Sequence, residues 1–282
     1  MIIKPKAEIV ESTGSVLKDI ERVGRICYKT EDRITGDSAE SFVSRVAARK
    51  HMSVLEFGMI RMTLKKRDIG STYLCASVIT NEYLSISGTS GDALTITGSI
   101  RAFKEFLEEF KGRKYSLQQN LADRFPCVFD STDTPHEEWD MEIPHDTHTL
   151  VKFTVNRAIS HQLVRHRVFS FMQESQRYCN YDNELNVIEP IWFEKGSRLK
   201  RRLWLDNATR SHECYKSLRR SMSPQECRDV LPTCTKTELY MLGSNERWSA
   251  FFDLRCSSGA DPEMRRVAIP LKEKFKSTGR LI

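Results

Sequence analysis

The chain has 282 residues, with 44 Lys plus Arg against 38 Asp plus Glu and a formal charge of +6. That length suits a single domain, with or without an insertion, and a composition 39% apolar and 29% charged is that of a soluble globular protein. No run is apolar enough to span a bilayer as a helix, so no membrane partner is expected, and the positive balance favours anionic ligands: nucleotides, folates or nucleic acid.

The opening MIIKPKAEIV lacks the apolar centre of a secretion signal, so a cytoplasmic location is expected, or the host cytoplasm for a viral protein. The eight cysteines (27, 75, 127, 179, 214, 227, 234 and 256) form no CxxC pair, which points to reduced thiols and no metal site. Lys200-Arg201-Arg202 is the one basic run, and it reads as an exposed helix start. Nucleic acid is therefore not the expected partner.

Residues 1–10 read as a short edge strand. Val16, Ile20, Val23 and Cys27 have helical spacing over 16–28. A second helix starts near Asp37, where Asp37 to Glu40 has the form of a capping box; it would bury Phe42, Val43 and Val46. Alternation over 57–64 predicts a strand, preceded by a turn that carries His51, Ser53 and Glu56. Residues 71–79 fit helix or strand equally, and 87–98, rich in Gly, Ser and Thr, read as a loop. Residues 100–110 form an amphipathic helix with Phe103, Phe106, Leu107 and Phe110 on one side. From 111 to 148 no period is visible, which marks a lid or a disordered tract.

Residues 149–155 alternate as a strand, and helical spacing resumes at Asn156. That helix would run to Arg167 and deliver 170–177 as a loop. A helix over 203–218 follows. Ser223-Pro224-Gln225-Glu226 is a capping box with Pro at the first helical position, placing Arg228 one turn in, before Leu231-Pro232 ends the helix. Residues 236–255 read as one long helix, and Asp261-Pro262-Glu263 opens the last, with Pro270 kinking it.

Residues 160–181, SHQLVRHRVFSFMQESQRYCNY, carry the densest chemistry. Arg165, His166, Arg167 and Arg177 are interleaved with Ser170, Gln173, Glu174, Ser175 and Gln176. Arg meets phosphate oxygens with a planar fork, and Ser and Gln supply the mixed donors and acceptors that a pyrimidine edge needs. A solvated basic helix face is the plainer alternative. Val164, Val168, Phe169, Phe171 and Met172 add more apolar bulk than such a face carries, which favours a partly buried anion site.

Arg165-His166-Arg167, then Ser175, Arg177 and Tyr178 at their spacing, resembles the signature of the flavin-dependent thymidylate synthases, RHR, seven residues, Ser, x-Arg-Tyr. His51-x-Ser53-x-x-Glu56 and Arg228-x-x-Leu231-Pro232 are similar to two further motifs of that family. The resemblance implies an α+β fold, an antiparallel sheet flanked by helices, as a single domain over 1–282 with an insertion near 85–148. It implies a homotetramer that methylates dUMP to dTMP, with methylenetetrahydrofolate as carbon donor and reduced FAD, recharged by NADPH, as hydride source. It places Gln162, Arg165, Gln173, Glu174, Ser175, Gln176, Arg177, Arg228 and Arg255 at dUMP, with Arg255 catalytic. It places His51, Ser53, Glu56, Arg165, His166, Arg167, Ser244 and Glu246 at FAD. Arginines 165, 177, 228 and 255 are then expected to converge.

Ser244, Glu246 and Ala250 stand where the family carries Asn, Arg and Asn, the His that follows the Leu-Arg pair is missing near Gly259 and Asp261, and Met172 replaces a polar residue. Glu in place of Arg turns attraction for an anionic cofactor into repulsion. These departures motivate an alternative: a relative that modifies dUMP at the same carbon with another outcome, such as hydroxymethylation. A non-catalytic nucleotide-binding protein is the third reading.

Overall fold

The computed structural model describes residues 1–65, 78, 81–88, 93–109, 115–167 and 169–281. The ambiguous segment at 71–79 lies outside the described residues except for Val78. The strands are β1 (Ile2–Ile3), β2 (Lys6–Val10), β3 (Met59–Lys65), β4 (Leu84–Gly88), β5 (Ala93–Ser99), β6 (Asp140–Glu142), β7 (His148–Asn156), β8 (Ser170–Gln173), β9 (Val187–Ile188) and β10 (Lys236–Ser244). The α-helices are α1 (Val16–Gly24), α2 (Ser38–Ala48), α3 (Ile100–Glu109), α4 (Tyr115–Arg124), α5 (Arg157–Leu163), α6 (Arg198–Arg219), α7 (Pro224–Cys227), α8 (Asn245–Arg255) and α9 (Pro262–Ser277). Antiparallel sheets packed with helices give the α+β class expected from the sequence. Among the described residues, no helix is long and apolar enough to cross a membrane.

The chain folds as two compact units. The first comprises Met1–Glu11, Arg25–Asp32 and Asp146–Ile282. Its antiparallel sheet has the order β2-β7-β10-β8, so residues 6–10 do form an edge strand. Val151, Phe153 and Val155 of β7 and Leu239 and Met241 of β10 meet Trp248, Phe251 and Phe252 of α8 and Met264, Val267, Leu271 and Phe275 of α9. All of these are almost fully buried, and each such side chain stabilises the fold by roughly 1.5–3 kcal/mol. Polar bonds fix the angle of α8: Trp248 Nε1 donates to Thr149 O (3.0 Å), and Asn245 Nδ2 donates to Asp146 O (2.9 Å). A satellite core gathers Tyr181, Leu185, Tyr215, Ala208 and Cys227 under α6 and α7.

Residues 236–255 are not one helix. They are the central strand β10 followed by α8. β10 pairs with β7 on one side and β8 on the other, and both its faces are covered, so Leu239 to Gly243 are buried without a break. A strand covered on both faces loses its polar alternation and, from sequence, is hard to tell from a buried helix. Likewise α5 ends at Leu163 rather than Arg167, and Ser170–Gln173 is strand rather than loop.

The second unit comprises Ser12–Gly24 and Arg33–His145. Its sheet has the order β4-β5-β3-β6, with α1, α2 and α3 supplying Ile20, Val23, Val43, Ile100 and Phe103 to the interior. Residues 87–88 and 93–98 are therefore strand, not loop, and 89–92 lie outside the described residues. The aperiodic tract after 111 carries α4 and β6, and β6 pairs with β3. Asp37 stands at the N-cap of α2 without a cap bond; it accepts instead from Thr35 Oγ1 at 2.8 Å, so the expected capping box is not formed.

Candidate functional site

In the first unit β7 runs straight into α5. Asn156 makes that turn: its side-chain oxygen accepts from Ile159 N (2.8 Å), satisfying one of the open donors of the first helical turn. Arg157 follows at the first helical position. Two turns on, Gln162 is half-buried and Arg165 and Arg167 are exposed. β8 then brings Gln173 beside Leu239 of β10, and Glu174 N donates to Glu238 O at 2.9 Å. A tight turn, in which Tyr178 and Cys179 N–H groups both donate to Ser175 O (3.1 and 2.9 Å), presents Ser175, Gln176 and Arg177.

These residues line a cavity of about 460 Å³ together with Arg157, Arg228 and Asp229. Arg228 is set by the predicted capping box: the backbone N–H and hydroxyl of Ser223 both donate to the Glu226 carboxylate (2.8 and 2.7 Å). α7 is only four residues long, and Arg228 opens the 3-10 turn Arg228–Val230 rather than continuing a helix. Arg177 Nε donates to Gln225 Oε1 (2.9 Å), and its guanidinium lies 5.3 Å from the ring centre of Tyr178, which stacks on Tyr28. Gln173 Nε2 donates to Ser160 Oγ and Thr237 Oγ1, both at 3.0 Å.

Glu174, expected as a ligand contact, is a buried hub beneath the cavity. Its carboxylate accepts from Tyr181 Oη (2.9 Å), Lys236 Nζ (2.9 Å) and Glu238 N (3.2 Å). Glu238 in turn pairs with Lys29, with Lys152 at 3.3 Å and with Lys236 at 3.7 Å. Burial opposes ionisation of Glu238, but the hydrogen bond from Lys29 and the surrounding ammonium groups outweigh it and hold the carboxyl at about 2.

A second cluster surrounds Arg255, the last residue of α8. Its Nε donates to His166 Nε2 (2.8 Å), Nη1 to Gln162 Oε1 (3.3 Å) and Nη2 to Gln162 O (3.2 Å). Gln162 Nε2 donates to Asp261 Oδ2 (2.7 Å), and Asp261 also caps α9 through Glu263 N (2.9 Å). Burial, and then the Arg255 charge, pull the His166 imidazole down to about 4, so it is neutral and accepts at Nε2 near pH 7. Burial and neighbouring Arg165 lower the Arg255 guanidinium from its ordinary value, while Asp261 acts the other way.

The four arginines thus form two groups. Arg177 and Arg228 share the cavity, and Arg165 acts on Arg255 in the second cluster. Ser244 caps α8, its hydroxyl accepting from Arg247 N (3.3 Å), and Glu246 is exposed in the first turn. A carboxylate there suits the positive end of the helix dipole, which gives that departure a local reason. In the second unit His51, at the N-cap of the 3-10 turn Met52–Phe57, and Ser53, within it, are exposed, and Glu56 accepts from Arg101 Nη1 at 2.5 Å.

Sequence reasoning missed Arg157, Lys29 and the charges of β10. The alternation Lys236, Glu238 against buried Thr237, Leu239 was a signal for the last, but Lys29 lies 209 residues from Glu238, and no local pattern links them. Among the described residues, no group of three His, Cys, Asp or Glu is placed to hold a metal.

In this antiparallel α+β unit, arginines, amides and hydroxyls gather around one polar cavity, a set of groups whose chemistry suits a small anion. Residues 144–278 match the family model described as thymidylate synthase complementing protein. The chain is 32% identical over 146 residues to a flavin-dependent thymidylate synthase of Corynebacterium aurimucosum, covering 46% of this chain and 58% of the relative. It is 33% identical over 150 residues to that of Corynebacterium efficiens, covering 48% and 59%. It spans less than two thirds of the length of these curated relatives. A UMP/dUMP methylase from Streptomyces cacaoi, PolB, aligns over 100% of this chain and 98% of its own at 15% identity, with a TM-score of 0.43. Through its C-terminal half, then, the chain is similar to the flavin-dependent thymidylate synthases.

Proposed function

We propose that this protein is a flavin-dependent thymidylate synthase, converting dUMP to dTMP with methylenetetrahydrofolate as carbon donor. The observation that carries this reading is the cavity in which Arg177 and Arg228 face Gln173, Ser175 and Gln176. The two guanidinium groups suit the 5′-phosphate, and the amide and hydroxyl groups suit the nucleoside. Glu174, engaged by Lys236 and Tyr181 and tied to β10 at Glu238, would anchor the start of the turn that carries Ser175 to Arg177 rather than touch the nucleotide. Arg255 is a cation aimed by three hydrogen bonds, one to a neutral imidazole, and it would stabilise negative charge developing on the uracil ring as the C5 carbon becomes nucleophilic.

FAD, when bound, would supply the hydride, recharged by NADPH. Arg165 and Arg167 have no ion-pair partner among the described residues, and as exposed cations they fit its pyrophosphate; Glu246 opposes it. His51 and Ser53 are further candidates for flavin contact, and the chain is proposed to assemble as a homotetramer.

The test is the visible spectrum of the purified full chain, then the mass of the product formed from dUMP, methylenetetrahydrofolate and NADPH. A flavin spectrum and a methylated product are expected. A hydroxymethyl product would replace this activity by its close alternative. A protein that takes up no FAD and leaves dUMP unchanged would refute the proposal.

A further inference from the structure

The turn that presents Ser175, Gln176 and Arg177 is held by a stretch far away in sequence, Cys27 to Lys29. Ser175 N donates to Cys27 O (3.2 Å), and Cys179 Sγ donates to the same oxygen (3.5 Å). The Tyr28 ring stacks on Tyr178, with centres 4.6 Å apart and planes 23° apart. The same Tyr178 ring lies 5.3 Å from the Arg177 guanidinium, so the stack reaches a residue of the cavity. Lys29 Nζ donates to the Glu238 carboxylate and lies 3.9 Å from that of Glu174, the residue immediately before the turn. Cys27 Sγ donates to Met172 Sδ (3.0 Å) on β8, the strand that leads into the turn.

Charge balance alone does not call for Lys29. Lys236 lies 2.9 Å from Glu174 and 3.7 Å from Glu238, and Lys152 lies 3.3 Å from Glu238. Two ammonium groups thus already face the two carboxylates, and both belong to the sheet, on β10 and β7. Lys29 instead ends the 3-10 turn Arg25–Tyr28, with a left-handed φ of 52°. Its N–H donates to Ile26 O and that of Thr30 to Arg25 O, both at 3.3 Å. Glycine is the usual residue at such a helix end, because it takes this conformation without steric cost. A lysine there is held by its contacts, and what it adds over glycine is the reach of an ammonium group to the sheet. Neither Tyr28 nor Lys29 lines the cavity.

We propose that Tyr28 and Lys29 are positioning residues: they clamp the turn to the sheet and so hold Ser175, Gln176 and Arg177 ready for the ligand without touching it. A turn ordered in advance spares binding the cost of ordering it. This inference rests on the nucleotide reading of the cavity and adds to it the residues that keep it in shape.

The experiment is a double-mutant cycle, read by calorimetric titration of the full chain, supplied with FAD, with dUMP. Lys29→Met and Lys29→Arg carry the same backbone cost at position 29, so comparing them isolates the charge. Lys29→Met is expected to weaken dUMP binding roughly 3- to 30-fold, and Lys29→Arg to restore it to within about threefold of wild type. In an Arg177→Ala background Lys29→Met should cost little more, because residues that act through one another do not add. Tyr28 is 46% exposed, which makes Tyr28→Leu a mild second variant. It should lose affinity a few-fold, again with little further loss once Arg177 is gone. Circular dichroism checks folding throughout. A merely structural role would give losses that add in full to that of Arg177→Ala. Full additivity, or unchanged affinity, in folded variants would overturn the assignment while leaving the nucleotide site intact. If Lys29→Met fails to fold, the Tyr28→Leu cycle decides by the same criterion. A wild type that binds no dUMP would overturn the nucleotide reading as well.

Discussion

Arg255 receives a fixed orientation from residues that the sequence had assigned to separate tasks. Gln162 accepts twice from it and is itself held by Asp261, while His166 accepts at Nε2. Under the proposed function, a cation oriented in this way would contribute to the barrier more than to binding, because it would meet the charge that develops during reaction. Arg255→Ala is thus expected to lower turnover about 100- to 1,000-fold, the cost of losing one preorganised donor, with dUMP still bound. Rates and dUMP affinity measured on the same preparation check this, and equal losses in both would reduce Arg255 to a binding residue. His166 supplies an independent reading of the cluster. Its imidazole titrates near 4, first because it is buried and second because Arg255 is charged. A histidine depressed in the folded state contributes stability above its unfolded value of about 6.5, and that contribution is lost as pH falls toward 4. NMR titration of the ring should give this low midpoint, and Arg255→Ala should raise it part of the way, since burial remains.

At the scale of elements, β10 is both the centre of the first unit and the segment that was hardest to read. The helices α3, α6 and α9 were legible because one face of each is wet, so the 3.6-residue period survives in their side chains. β10 lies between two strands with both faces covered, and its apolar run joins that of α8 without a Pro. Gly243 was the one break available, and it serves packing: a Cβ there would sit 2.4 Å from the Phe169 ring. The candidate site was legible where it is contiguous, at 162–177 and at the capping box before Arg228. It was illegible where strands join distant residues, as with Lys29 and Glu238. That ion cluster has a measurable consequence. Glu238 is held at about 2 against an ordinary 4.5, although burial pushes the other way. A depressed carboxylate stabilises the fold above its unfolded pKa, and the contribution disappears as pH falls from about 4.5 to about 2. The shift corresponds to an order of magnitude of about 3 kcal/mol. Urea midpoints should fall across that window in the wild type, and Glu238→Gln should be less stable at pH 7 with a flatter acid limb. A variant whose acid limb matches that of the wild type would show that the lysines around Glu238 do not set it.

For the molecule as a whole, the relevant quantity is the field set up by a net charge of +6, with three arginines concentrated at one cavity. Long-range attraction accelerates the approach of an anion, whereas direct hydrogen bonds govern how long it stays. Salt separates the two contributions, because the screening length falls from about 10 Å at 0.1 M toward about 3 Å at 1 M. Approach is screened at that distance, and contacts made at hydrogen-bond range inside a cavity are screened much less. Stopped-flow mixing with dUMP should therefore show an association rate that drops several-fold between about 0.05 and 0.5 M sodium chloride, with a dissociation rate that changes far less. Neutralising one cavity arginine, as in Arg228→Gln, should shorten residence and also weaken the salt slope. If salt left association untouched and altered only dissociation, the positive surplus of the chain would have no part in recruiting the nucleotide, and the arginines would act through contact alone.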